Sequence, residues 1–177
     1  MAFTNYHGIV HGDAGRFNPQ GTMTRAMFVQ VLYNLEGSPV GDAVPGVPRA
    51  VGDDRPYTRF TDVPEGVWYY DAVIWAAESG IVSGVDVGVY APDSAISRQE
   101  MAVMLSNYAE FKGIDIPVHR AMPVFADQTN IASWALAASS VLSEAGVISG
   151  SNNEFAPQRT ATRAEVAQIF KNFLRLA

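Results

Sequence analysis

Three columns of residues recur along this chain, in one order and at nearly fixed spacing. Gly8-Ile9-Val10-His11-Gly12, Gly80-Ile81-Val82-Ser83-Gly84 and Gly146-Val147-Ile148-Ser149-Gly150 form the first. Phe17-Asn18-Pro19, Tyr90-Ala91-Pro92 and Phe155-Ala156-Pro157 form the second, and Thr24-Arg25, Ser97-Arg98 and Thr162-Arg163 the third. The aromatic stands eight residues before the arginine in every copy. Each copy reads as a tight glycine turn, a loop and a helix with one apolar face. A single copy cannot cover that face, so neighbouring copies must pack on one another.

The helices are legible from their periodicity. After Thr24, the residues Phe28, Val31, Leu32 and Leu35 fall on one face, and Gly37 with Pro39 supplies a stop. After Ser97 the stripe is Met101, Met104, Leu105 and Tyr108; after Thr162 it is Val166, Ile169, Phe170 and Phe173. Ser97 with Glu100, and Thr162 with Glu165, have capping-box spacing. A further helix is expected from about Trp68 to Ser79, with Trp68, Ala72, Trp75 and Ala76 on one face and Gly80 ending it. Phe125-Ala126-Asp127 matches Phe60-Thr61-Asp62, and Trp134 matches Trp68, each twelve residues before its turn glycine.

These spacings divide the chain into a partial first copy at 1–37, a Pro/Gly-rich insertion at 38–59, a second copy at 60–116 and a third at 117–177. The first copy lacks the Phe-x-Asp step and the Trp helix, which reads as a truncated or excised front. The insertion is expected to be a surface loop, which lengthens the Arg25-to-Arg98 interval to 73 residues against 65 for the next.

Composition excludes several functions. The 177 residues carry a net charge of -6, which argues against nucleic acid. There is no cysteine, hence no disulfide and no thiol chemistry. No apolar run is long enough to span a membrane, and no leader is visible, so an export signal would lie outside this chain. His7 and His11 are four apart but stand among Gly8 and Gly12, which denies them a helix and a metal; His119 is alone. Asp13-Ala14-Gly15 and Asp86-Val87-Gly88 lack the alternating oxygens and late glutamate of a calcium loop. No catalytic constellation recurs, so neither a metal, a cofactor nor an enzymatic activity is expected.

Taken as a set, Phe-x-Asp before a Trp helix, Gly-Ile-Val-Ser-Gly, aromatic-x-Pro and the Thr/Ser-Arg-x-Glu helix start resemble the S-layer homology family over nearly the whole chain outside the insertion. The resemblance implies a mainly α fold: helix–loop–helix repeats packed as a pseudo-threefold spindle. It implies an extracellular module on the bacterial surface that binds a cell-wall polysaccharide, often a pyruvylated secondary polymer, in grooves between repeats. A different reading makes it an assembly module whose grooves engage other protein chains. A second chain completing the first copy would give self-association.

The residues themselves nominate a site. Arg25, Arg98 and Arg163 follow a helix cap, where the helix end disfavours a cation, so their recurrence suggests a use. Beside free backbone N–H groups, such an arginine would receive a carboxylate or phosphate, including the carboxylate of a pyruvyl ketal. The competing reading pairs each arginine with Asp62 or Asp127 of a neighbouring copy. Trp68 and Trp134 either stack on a sugar or fill helix interfaces. Gly84 and Gly150 serve backbone geometry or, with Ser83 and Ser149, let a sugar approach the main chain. Asp62 and Asp127 read first as caps of the turn or helix that follows.

Overall fold

The computed structural model describes residues 18–39, 60–118, 121 and 123–176. The first glycine column, Phe17, His7, His11, His119 and the insertion from residue 40 onward lie outside them. Among the described residues there are five helices: α1 Arg25–Leu35, α2 Tyr70–Glu78, α3 Arg98–Lys112, α4 Ser133–Glu144 and α5 Arg163–Phe173. A 3-10 turn at Gln128–Asn130 precedes α4. Extended pairing among the described residues is confined to isolated bridges, two of them (Asp86 with Val89, Ser151 with Glu154) just past the glycine turns. The fold is mainly α.

The chain forms two compact units, Thr24–Ser94 and Met1–Met23 with Ala95–Ala177. In the Thr24–Ser94 unit, α1 packs on α2. The contact is apolar: Phe28, Val31 and Leu32 of α1 and Ala72, Trp75 and Ala76 of α2 are all buried, and the Tyr33 and Trp75 rings meet at 5.6 Å. Leu35, expected on the same stripe, is only half-buried at the helix end. Burying rings of this size contributes roughly 2–3 kcal/mol each.

The other unit packs α3 on α4. The stripes predicted for α3 and α5 are buried throughout, and Tyr108 meets Phe173 at 6.0 Å. Small residues on α4 (Ala135, Ala138, Ser139) allow the close approach. Both capping boxes are present, with Ser97 and Thr162 accepting from the backbone of Glu100 and Glu165, while those carboxylates accept from the cap N–H groups. Thr24 caps α1 alone, since Met27 stands where the other copies have glutamate. Gly113 ends α3 at φ 64, the left-handed conformation that glycine adopts without Cβ strain.

Within this same unit the segments just before the three helix starts are bonded in a ring. The N–H of Met23 donates to Ala161, that of Ala161 to Ile96, and that of Ile96 back to Met23, at 3.0, 3.1 and 3.0 Å. All three side chains are buried.

Candidate functional site

The starts of α1, α3 and α5 each land on the loop of an aromatic-x-Pro step. Arg25 and Ala26 donate their N–H groups to Ser94 and Pro92; Arg98 and Gln99 donate to Arg159 and Pro157; Arg163 and Ala164 donate to Gly21 and Pro19. The next two donors of each helix go to the cap: Met27 to Thr24 Oγ1 and Phe28 to its carbonyl, with Glu100 and Met101 on Ser97, and Glu165 and Val166 on Thr162, bonded in the same way. This corrects one expectation. The first three N–H groups of these helices, which have no partner within the helix, are used inside the protein and are not free donors beside the arginines.

The arginine side chains do similar work. Arg25 is 4% and Arg98 5% exposed. Arg25 Nε donates to the Tyr90 carbonyl at 2.9 Å, and the guanidinium lies 4.8 Å from the Tyr90 ring centroid. Arg98 Nε donates to the Phe155 carbonyl at 2.8 Å and its NH2 to the Ser149 carbonyl at 2.8 Å, 5.3 Å from the Phe155 ring centroid. Arg98 thereby ties the glycine turn to the aromatic loop. Burial pushes its pKa below the ordinary arginine value, the nearby Arg159 adds to this, and Glu165 and Asp127 partly restore it. Arg163 is half-buried; the turn and aromatic of the copy it faces lie outside the described residues.

The pairing of these arginines with Asp62 and Asp127 is also corrected. Each carboxylate is consumed by the aromatic-x-Pro loop of its own copy. Asp62 accepts from the N–H groups of Tyr90 and Ala91 at 2.9 and 2.7 Å, and Asp127 from Phe155 and Ala156 at 2.8 and 2.7 Å. The loops need this clamp, because Ala91 and Ala156 are left-handed at φ 58 and 55, costing about 1–2 kcal/mol for a residue with a Cβ. The aspartates thus cap a turn, but one 28 residues away rather than the next one along.

Trp68 precedes α2 instead of lying within it and is 61% exposed, its ring edge-on to Tyr69 at 5.1 Å; Trp134, in the first turn of α4, is 58% exposed. The reading in which they fill helix interfaces is overturned, since both are exposed and Trp75 fills that place for α2. Ser83 and Ser149 are exposed, each followed by a half-buried glycine. A Cβ on Gly84 would stand 2.7 Å from both the Phe60 ring and the Val89 carbonyl, and one on Gly150 would land on the Phe125 ring and the Glu154 carbonyl. The Phe of Phe-x-Asp is therefore the floor on which the turn rests.

Each unit thus carries the same set: a buried arginine, an exposed tryptophan and an exposed serine-glycine turn. Three further residues were not singled out from the sequence. Gln99 Oε1 accepts the N–H of Ala132 at 3.0 Å, fixing the start of α4 beside the first turn of α3. Arg159 is exposed and ion-paired with Glu165. Asp93 acts on Tyr69, whose hydroxyl is raised first by burial and then by the Asp93 and Asp62 carboxylates. Comparing the copies between the aromatic and the arginine would have exposed the contrast of Asp93-Ser94 with Gln158-Arg159.

A repeated arrangement of this kind is that of a modular repeat domain. The sequence model of the S-layer homology domain matches residues 1–27, 59–102 and 124–167, and the chain belongs to that family. In S-layer proteins these non-catalytic domains anchor the protein to the cell wall. The chain is similar to the surface-layer 125 kDa protein of Lysinibacillus sphaericus, 31% identical over 92% of this chain and 13% of that protein. It is 30% identical to the S-layer protein of Bacillus thuringiensis subsp. finitimus, over 88% of this chain and 16% of that protein. To the amylopullulanase of Thermoanaerobacterium thermosulfurigenes it is 29% identical, over 90% of this chain and 8% of that protein. It spans less than a fifth of each of these relatives. Among the described residues no helix is long and apolar enough to cross a membrane.

Proposed function

We infer that this chain is a non-catalytic anchoring module acting outside the cell, on the bacterial surface. Its partner is an anionic secondary cell-wall polymer, pyruvylated in its acidic units. The polymer lies along the surfaces that carry Trp68 with Ser83-Gly84 and Trp134 with Ser149-Gly150. The observation that carries the reading is the exposure of these two tryptophans, when every other large ring among the described residues is buried or half-buried. A rigid indole held open to solvent stacks on a sugar face at small entropic cost. Arg25, Arg98 and Arg163 supply positive field from beneath, and Arg98, by holding the Ser149 and Phe155 carbonyls, preorganises the surface instead of grasping the ligand alone. The ring of hydrogen bonds among Met23, Ile96 and Ala161 supports a pseudo-threefold spindle as the framework.

The test is sedimentation of the chain with purified cell-wall sacculi, before and after stripping of the secondary polymer. Binding is expected to unstripped walls alone. Trp134→Ala should weaken it about tenfold while leaving thermal unfolding unchanged. Equal binding to stripped walls, or self-association in place of wall binding, would reject the anchoring function in favour of protein assembly.

A further inference from the structure

The two copies of the site differ in charge at two adjacent positions. The residue after Pro-x is Ser94 in the Thr24–Ser94 unit and Arg159 in the other, and both accept the first helical N–H through their carbonyls, at 3.0 and 3.1 Å. Their backbones are therefore in the same place and their side chains project from the same exposed turn. The residue just before each is Asp93 in one unit and Gln158 in the other.

The consequences are opposite. Beneath the Arg159 turn lies Arg98, nine-tenths buried and bonded to the Phe155 and Ser149 carbonyls; among the described residues no carboxylate is within ion-pair distance of it. Arg159, 46% exposed, adds a second cation there, steadied by Glu165. Trp134 is tied to the same helical turn through Ala132 and Gln99. In the Thr24–Ser94 unit the corresponding exposed turn carries the Asp93 carboxylate instead, acting on Tyr69, whose ring abuts Trp68.

We propose that the two sites read different sugars of one polymer: Trp134 with Arg159 takes the residue bearing a carboxylate, and Trp68 with Asp93 takes a neutral neighbour. This rests on the wall-polymer reading above. Alternation of this kind would set the register of the polymer on the protein, since a carboxylate placed over Asp93 is repelled.

The experiment uses the full chain with 5-fluorotryptophan at its three indoles, followed by fluorine NMR. The probes are the pyruvylated wall polymer and the same polymer after mild acid has removed its ketals. Trp75, 2% exposed, reports whether the fold is intact. Removing the ketals should weaken the response at Trp134 about tenfold, as expected for loss of a charge-assisted contact, and leave the response at Trp68 unchanged. Arg159→Ser should erase the ketal dependence at Trp134. Asp93→Gln with Ser94→Arg should create it at Trp68. Equal ketal dependence at both indoles in the parent protein, or an Arg159→Ser protein that still distinguishes the polymers, overturns the proposal and leaves the anchoring function standing. Silence of both indoles with both polymers is a different result, and it removes the anchoring function as well.

Discussion

Asp127 carries more of the fold than its place on the surface suggests. It closes two charge-assisted hydrogen bonds on a backbone that would otherwise hold a left-handed alanine unaided. Asp127→Ala should therefore cost about 2–4 kcal/mol in urea unfolding. Ala156→Asn, which brings in the residue that the first copy carries at Asn18 (itself at φ 44), should return about 0.5 kcal/mol, because asparagine tolerates this conformation. Gly150→Ala should be destabilising by 1 kcal/mol or more, of order the cost of overpacking, as the Phe125 ring must move. The sequence marked all these positions by recurrence but misassigned their partners. Local rules tie an aspartate to the next turn, whereas Asp62 and Asp127 reach 28 residues ahead, a distance over which periodicity carries no information.

Among the elements, α1, α3 and α5 begin and end within a residue or so of the positions read from their caps and apolar stripes, because both signals are local and agree. The start of α2 was misplaced. Trp68 fits its apolar spacing, yet the helix opens at Tyr70 with no side-chain cap, and an indole outside the first turn has no face to bury. The cap of α5 yields a pH prediction. Burial alone would raise the Glu165 pKa, but hydrogen bonds from Arg159 and Thr162 outweigh it and bring it from 4.5 to about 2. A depressed carboxylate stabilises the fold above its unfolded pKa and loses that contribution as the pH falls from about 4.5 toward about 2. Glu165→Gln should flatten this part of the acid-unfolding curve followed by circular dichroism. Arg98→Ala should lower stability as well as wall binding, since it frees the Ser149 and Phe155 carbonyls; wall binding lost at full stability would contradict the role of Arg98 in bracing the turn.

For the whole molecule, a net charge of -6 would make binding of the anionic polymer proposed above depend on local positive field against a repulsive background. Raising the ionic strength about tenfold should then weaken wall binding several-fold, with the loss confined to the contribution of Arg159 and Arg98. The -6 itself was plain in the sequence, but its uneven distribution over two copies of one site was not, because it depends on which turns face which helices. The ring of Met23, Ile96 and Ala161 has a different implication. Open stacks of repeats grow by leaving a donor and an acceptor ready at each end for the next copy. Here each of the three N–H groups answers a carbonyl of another copy, and the third copy returns to the first. The module therefore counts: a gene duplication adding a fourth copy would find no vacancy in this ring, and would have to build a second module or remain outside it.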